Sequence, residues 1–550
     1  MVSALATSGP RRCERWRDDT PAGYPVGQDG RVGPNVDQAD VIVIGAGHNG
    51  LIAASYLARA GRKVVLLEAR DSVGGCSSTV GFAGARVNIC NCDHITFRTT
   101  PVMEELDLAA HGLEYLEVEP NQVNIPWDGG PAWPITKSVE QTLEGLAMTY
   151  PHQVDAYRAY AKAAVPVARL VLDAAAAGPE RHRLISSVLS RGGRGARRLL
   201  QWSRMSAADV MRQFFDDESV YAPALATGPV VWGLSPELPG TGLGALTFAF
   251  RHVASVGRPR GGSGMLSESL LRSFVSFGGN LRLSTPATAI MIEKGKVRGV
   301  RTASGDVIDA PIVVSAADPR RTLLEWLENP PTAAGPMIER WRNQSHQQGY
   351  ESKIDGVIDD VPRYRQVDDD VFAKLGLDPS VASTMIVPKV ADMHRAFLDI
   401  PSGRVAENPI FFANIPTVLD PTMAAPGRHV FSLEALFTPY AVNGGWRDSP
   451  EPRRWLERYS SLLSNDPIAS MTDWRAMTPD VYESDFHMPE GHATSFAGGP
   501  LAALSGKPQE LVRYETAVPG LFLCGAATFP GAGIWGASGR HCAARILRRH

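Results

Sequence analysis

The chain has 550 residues, 44% of them hydrophobic and 21% charged. That is ordinary globular composition, with length for two or three domain-sized units and a core that needs neither disulfides nor metal. The formal net charge of −3 gives no electrostatic reason to expect nucleic acid as a partner. Among the six cysteines (Cys13, Cys76, Cys90, Cys92, Cys524 and Cys542) only Cys90 and Cys92 are close, and no second pair stands at zinc spacing. A metal site and a disulfide framework are therefore not expected, and a reducing, cytoplasmic setting fits the cysteine usage. No apolar run reaches the roughly 18 residues a spanning helix needs. The most apolar helical stretch, 159–178, is interrupted by Lys162, Pro166, Arg169 and Asp173. No signal peptide is read at the start, and contact with a membrane surface through an apolar patch stays compatible with the sequence.

In chain order, residues 1–38 are rich in Pro, Gly, Arg and Asp without apolar periodicity, and are expected to form a flexible arm. The run Val41-Ile-Val-Ile44 then predicts a strand buried on both faces. A helical pattern follows over 49–60, stopped by Gly61, and Val64-Val-Leu-Leu67 predicts a second strand. This is a βαβ opening. The stretch 100–255 reads as largely helical, with helices over 154–172 and 207–215, the second capped by Ser206 with Asp209 in its first turn. Strands are predicted at 280–284, 287–292, 297–301, 307–308 and 312–315, with a hairpin turn at Lys294-Gly295. The pattern from 326 to 510 is mixed and Pro-rich. Leu521-Phe-Leu-Cys524 predicts a last strand before a Gly-rich loop and a C-terminal helix.

The chemistry-bearing motif is Gly45-Ala-Gly47-His-Asn-Gly50. Gly45 permits the tight turn out of the strand, Gly47 lets a pyrophosphate approach the backbone, and Gly50 lets the helix pack close to the strand. The helix N-terminus then offers N–H groups and partial positive charge to phosphates. Glu68, at the end of the second strand, stands where an acid hydrogen-bonds ribose hydroxyls. Arg70-Asp-Ser-Val-Gly74-Gly75-Cys76 adds two glycines that let a loop cross close to a cofactor, which favours FAD over a nicotinamide nucleotide. Gly261-Gly-Ser-Gly264 follows no clear strand and is a poor second dinucleotide turn.

Read together, the fingerprint and Glu68 through Gly75 resemble the start of the phytoene desaturase and flavin amine oxidase superfamily. Gly257-Arg-Pro-Arg-Gly-Gly-Ser-Gly-Met265, Gly278-Gly279, 287–292 and Val314-Ser-Ala-Ala-Asp-Pro319 follow the order seen in phytoene-dehydrogenase-related oxidoreductases. Leu521-Phe-Leu-Cys-Gly525-Ala526 and Pro530-Gly-Ala-Gly533-Ile-Trp-Gly536-Ala537 look like that family's closing motif, where a helix N-terminus faces the flavin. The resemblance implies an α/β fold: a Rossmann-type, glutathione-reductase-like FAD-binding domain, discontinuous over 39–100, 256–325 and 511–550. An inserted α+β substrate domain would come from 101–255 and 326–510.

It also implies non-covalent FAD held by Gly45, Gly47, Asn49, Gly50, Glu68, Ala69, Arg70, Gly74, Gly75, Cys76 and Ser77. Ala289 would supply a backbone contact to the adenosine, and Gly525, Ala526, Gly533, Ile534, Trp535, Gly536 and Ala537 would complete the site. Relatives carry an acid where this chain has Asn88 and a smaller residue where it has Trp535. Trp535 is therefore expected to shape the pocket or stack near the ring.

His94 and His492 are the candidate acid–base residues, each with a structural role as the alternative. His48 is expected to touch cofactor or solvent, and Cys92 is either reactive or a buried inert thiol. The leading expectation is a dehydrogenase or desaturase moving hydride from a substrate C–H to flavin N5, giving a C=C or C=N product. The substrate would be small and largely apolar, and the electron acceptor oxygen, a quinone or another compound. A flavin amine or amino-acid oxidase releasing peroxide is the alternative. A lipid-binding escort protein of the same fold that has lost its flavin is a remote third.

Overall fold

The computed structural model describes residues 31–32, 38–90, 93–345, 348–496 and 498–550. Most of the expected arm and Cys92 lie outside them. One part of the arm departs from expectation: Arg31–Val32 forms a short edge strand, pairing antiparallel with Arg282 and Leu281, and Val32 is buried.

The first sheet has six strands in the order Arg31–Val32, Asn280–Arg282, Val64–Leu67, Val41–Ile44, Ile312–Ser315 and Leu521–Leu523, parallel except at that first edge. Its strands come from segments more than 400 residues apart. Val41–Ile44, Val64–Leu67 and Leu521–Leu523 read as unbroken apolar runs because both faces of the sheet are covered. Val41, Val43, Val64 and Leu66 pack on one side against the helices His48–Arg59, Gly264–Ser276 and Ala537–Arg549. Ile42, Ile44, Val65 and Leu67 pack on the other, against the three-stranded meander Ala287–Glu293, Lys296–Thr302 and Val307–Asp309. Lys294 and Gly295 both take positive φ, the pairing a tight hairpin requires.

The second unit is a seven-stranded sheet in the order Trp474–Met477, Glu351–Ile358, His429–Leu436, Ile410–Asn414, Ser383–Val387, Gln122–Pro126 and Trp133–Ile135. All its pairs are antiparallel except Ser383–Val387 with Gln122–Pro126. A helical layer led by the 24-residue helix Val154–Ala177 covers one part of it. The helix Ala207–Arg212 begins as expected, with the Ser206 hydroxyl accepting the Asp209 N–H. The fold is thus α/β, a Rossmann-type cofactor domain assembled from separate segments with an α+β substrate domain inserted between them. Among the described residues no helix is long and apolar enough to cross a membrane.

Candidate functional site: a dinucleotide cradle and an apolar cavity

The Gly-rich turn sits at the C-terminal end of Val41–Ile44, where parallel sheets bind ligands. Gly45 takes φ +96°, closed to ordinary side chains. A Cβ on Gly50 would fall 1.9 Å from the Gly45 carbonyl oxygen, so the helix can approach the strand only without one. A Cβ on Gly47 would meet nothing within 4 Å. That open face is the approach a pyrophosphate needs. The helix His48–Arg59 has no side-chain cap and no acid in its first turn. Its leading N–H groups are therefore left for a ligand.

The C-terminal helix Ala537–Arg549 repeats this arrangement, with Gly536 as its N-cap, no side-chain cap and no first-turn acid. The two helices touch closely: a Cβ on Gly539 would lie 2.3 Å from the Asn49 carbonyl oxygen, and the Gly539 N–H points to Asn49 Oδ1 at 3.4 Å. Asn49 also bonds His48 through its amide, at 3.0 Å. Gly525, at φ +116°, donates its N–H to Ser538 Oγ at 2.8 Å, which fixes the closing loop to the same helix. The Ala526 carbonyl accepts from Phe496 N–H, Ile534 from Thr96 Oγ1, and Trp535 from Thr100 Oγ1. Ala537 is buried at the start of the helix.

Glu68 ties this cradle together. One carboxylate oxygen accepts Ala46 N–H at 2.7 Å and the other accepts Arg70 N–H at 3.0 Å. Burial pushes its pKa up, and the N–H bonds from Arg70, Ala46 and Ala69 oppose that. The Gly74 N–H donates to the Ala46 carbonyl at 2.9 Å, so the Gly74-Gly75 loop lies directly on the Gly-rich turn. Arg70 stacks over Phe486 of the substrate domain at 4.4 Å. Cys76 Sγ donates to Met488 Sδ at 3.2 Å, and Ser77 Oγ meets Ser263 Oγ at 3.2 Å. Ala289 is buried on the meander strand where the register slips between Ala287 and Ala289. The chain leading into that strand donates Thr285 N–H to the Glu68 carbonyl.

The two candidate histidines part company. His94 is 1% exposed and both ring nitrogens are engaged, Nδ1 with Tyr115 OH at 2.7 Å and Nε2 with Ser263 Oγ at 2.8 Å. Its backbone bridges Gly257 in both directions. Burial lowers its pKa to about 3, so the imidazole is neutral. His492 instead lines an apolar cavity of about 980 Å³ between the domains, with its ring edge-on to Tyr350 and Nε2 at 3.5 Å from the Trp232 carbonyl. Among the described residues, Arg320 is the other ionisable side chain in that lining, and no carboxylate lines it. Trp535 of the closing motif forms part of the wall, edge-on to Phe250, with its indole N–H donated to the Ala532 carbonyl.

Sequence reasoning missed the polar layer between the Thr79–Phe82 and Ala85–Asn88 hairpin and the seven-stranded sheet. Asn88 accepts Ser263 N–H and the Thr79 hydroxyl. Lys353 donates to the Asn88 carbonyl at 2.5 Å and pairs with Asp355, which also holds Arg475. Asp93 and Arg258 form a second buried pair at 2.9 Å. Burial, and then the Glu351 carboxyl beside it, pushes Glu434 well above the carboxylate range. The sequence signals for these residues are period-2 polar positions within short strands, which read as solvent-facing until the hairpin is laid over them. The short strand Gly257–Pro259 before Gly261-Gly-Ser-Gly264 was also missed. It pairs with Tyr115–Glu117 rather than joining the six-stranded sheet, and Thr79 fills the space a phosphate would need beside Gly262 and Gly264.

Fold and site together define a two-domain flavoprotein oxidoreductase: a dinucleotide cradle made of backbone, facing an inserted substrate domain. Residues 50–348 match the model of the flavin-containing amine oxidoreductase family, and the chain belongs to that family. It is 26% identical over 574 residues to the "pyridine nucleotide-disulfide oxidoreductase domain-containing protein 2" of Mus musculus, covering 95% of each. It is 24% identical over 545 residues to a neurosporene-forming phytoene desaturase of Cereibacter sphaeroides, covering 92% of this chain and 94% of that one. The crystal structure of an oxidoreductase from Methanosarcina mazei superposes with a TM-score of 0.61 at 17% identity, over 92% of this chain and all of the other, and shares its fold. The protein is thus a phytoene-desaturase-like, flavin-dependent oxidoreductase.

Proposed function

We propose that the chain is an FAD-dependent dehydrogenase of the desaturase type, oxidising a largely apolar organic substrate to a product with a new C=C or C=N bond. One observation supports this reading: the cavity that reaches the closing motif is walled by aliphatic and aromatic side chains and, among the described residues, carries no carboxylate. Such a wall rewards apolar surface at about 25 cal/mol per Å² and offers an ammonium group no counter-ion. The name of the phytoene desaturase relative points the same way.

The chemistry that FAD would supply, when bound, is acceptance at N5 of a hydride from the substrate C–H bond. The residues on hand suit FAD held without a covalent link. Gly45, Gly47, Gly50 and the uncapped helix ends would hold the pyrophosphate, Glu68 the ribose hydroxyls and Ala289 the adenosine side. Asn49, Ala69, Arg70, Gly74, Gly75, Cys76 and Ser77 would line the path toward the ring, and Gly525, Ala526 and Gly533 through Ala537 would close it. His492, which lines the cavity, would exchange a proton there. His94 holds Tyr115 and the Ser263 loop in place. Oxygen, a quinone or another acceptor would complete the cycle, in a cytoplasmic setting.

The visible spectrum of the purified protein, before and after acid precipitation, tests the cofactor: FAD recovered in the supernatant is expected. Anaerobic bleaching of that band by terpenoid hydrocarbons tests the substrate class. Bleaching by primary amines with peroxide release, and none by hydrocarbons, would establish the amine-oxidase alternative instead. Rapid reduction by NADPH alone would refute the dehydrogenase direction.

A further inference from the structure

Helices Arg181–Ser190 and Ala196–Trp202, joined through Gly192, Gly193 and Gly195, form a hairpin that is one wall of the apolar cavity. Over residues 181–204 the chain carries seven arginines and no acid, in a protein whose net charge is −3. Arg191 pairs with Asp173, and Arg183 lies 3.9 Å from Glu180. Arg181, Arg194, Arg197, Arg198 and Arg204 are exposed and have no ion-pair partner among the described residues. The inner side of the hairpin gives Leu184, Val188 and Leu199 to the cavity. Its outer side leaves Leu189 71% and Ile185 43% exposed.

The apolar exposure continues around the cavity mouth. Leu200, Trp232, Leu234 and Leu398 all line the cavity and are all exposed. Leu501, 50% exposed, lies on the helix Gly499–Ser505, which packs against both hairpin helices. Large apolar side chains rimming an opening, beside a run of unpaired arginines, meet the two requirements of an interfacial segment. Apolar groups enter the acyl boundary while arginines meet lipid phosphates, their stems lying along the apolar surface.

We propose that this hairpin docks the protein on an anionic lipid bilayer, with the cavity mouth turned to the membrane. The role of the cavity as substrate chamber rests on the function proposed above; the docking itself does not. A water-insoluble substrate would then pass from bilayer to cavity without crossing water, which costs its apolar surface full hydration.

The test is flotation of the purified holoprotein with vesicles of phosphatidylcholine alone and of phosphatidylcholine mixed with phosphatidylglycerol. Flotation with the anionic vesicles, release by high salt and little flotation with neutral ones are expected. Replacing Arg197→Gln and Arg198→Gln together should lower partitioning by roughly 25-fold, about 5-fold per arginine. Leu189→Asn should lower it too, and at low salt. These side chains are exposed, so the thermal midpoint should not move, and that control separates lost docking from lost folding. No flotation with anionic vesicles, or flotation indifferent to the arginine pair, overturns the proposal. Capture by RNA or polyglutamate without flotation overturns it as well, assigning the hairpin to another partner. Flotation reads no turnover: a protein that floats but is bleached by no hydrocarbon refutes the proposed reaction and leaves the docking standing.

Discussion

The cofactor cradle and the apolar cavity solve recognition in opposite ways. The cradle is made of main chain: turns at positive φ, two uncapped helix ends and one carboxylate, compressed until a single added carbon collides. The cavity is made of side chains drawn from helices, loops and strand ends between residues 170 and 535. A dinucleotide presents the same phosphates in every member of such a family, so fixed backbone donors suffice. Substrates vary, so their contacts sit on side chains that can be exchanged without disturbing a turn.

Substitution at Gly50 is the strongest way to break the comparison. Its Cβ would overlap backbone rather than a movable side chain, so Gly50→Ala should cost ~4 kcal/mol or more. Loss of soluble folded protein, checked by circular dichroism, is expected.

Acid should attack the seam next. His94, and His541 of the C-terminal helix, whose Nε2 meets the Ala175 carbonyl of the helix Val154–Ala177 at 2.8 Å, are buried and neutral, burial lowering their pKa to about 3 and about 4 from 6.5. Between those values the unfolded chain binds more protons than the folded one. Their contribution is therefore complete above pH 6.5 and is withdrawn as pH falls toward 4, on the order of 5 kcal/mol for the two. Urea midpoints across that range check the sign.

Arg258→Met should cost about 3 kcal/mol, because it leaves the Asp93 carboxylate buried without its guanidinium. Thermal melts of the variant measure it.

Gly47→Ala sharpens the contrast with Gly50. Its Cβ meets nothing, so the apoprotein's melting temperature should shift by about 1 °C at most, since surface changes stay near 0.5 kcal/mol. Flavin affinity should nevertheless fall ~10-fold or more, read by titrating apoprotein with FAD. The smallest expected effect on stability is His492→Gln. The melting temperature should hold, and kcat should fall about 100-fold with KM little changed, the loss expected for a missing proton-exchanging group.

Much of the cradle was legible because its information is local. Val41 to Glu68 encodes strand, turn, helix and strand within 28 residues, and each glycine of the turn has a single-residue reason to be there. Asn88, Lys353 and Asp355 were not legible for the converse reason. A charged residue in a strand reads as solvent-facing, and only the hairpin 79–88 lying over the sheet turns it inward. His94 and His492 looked equivalent as letters, yet one came to rest between Tyr115 and Ser263 and the other in a cavity wall.

The sequence by itself determined that a βαβ cradle for a dinucleotide exists, and where its turn and its first two strands lie. Steric exclusion around glycine and apolar periodicity act between near neighbours in the chain. The tertiary structure alone decided which polar groups are buried together, which histidine faces the cavity, and that an arginine-rich hairpin stands at its mouth. Those properties depend on contacts between residues hundreds of positions apart, and burial, which sets both charge state and access, exists only once the chain has closed on itself.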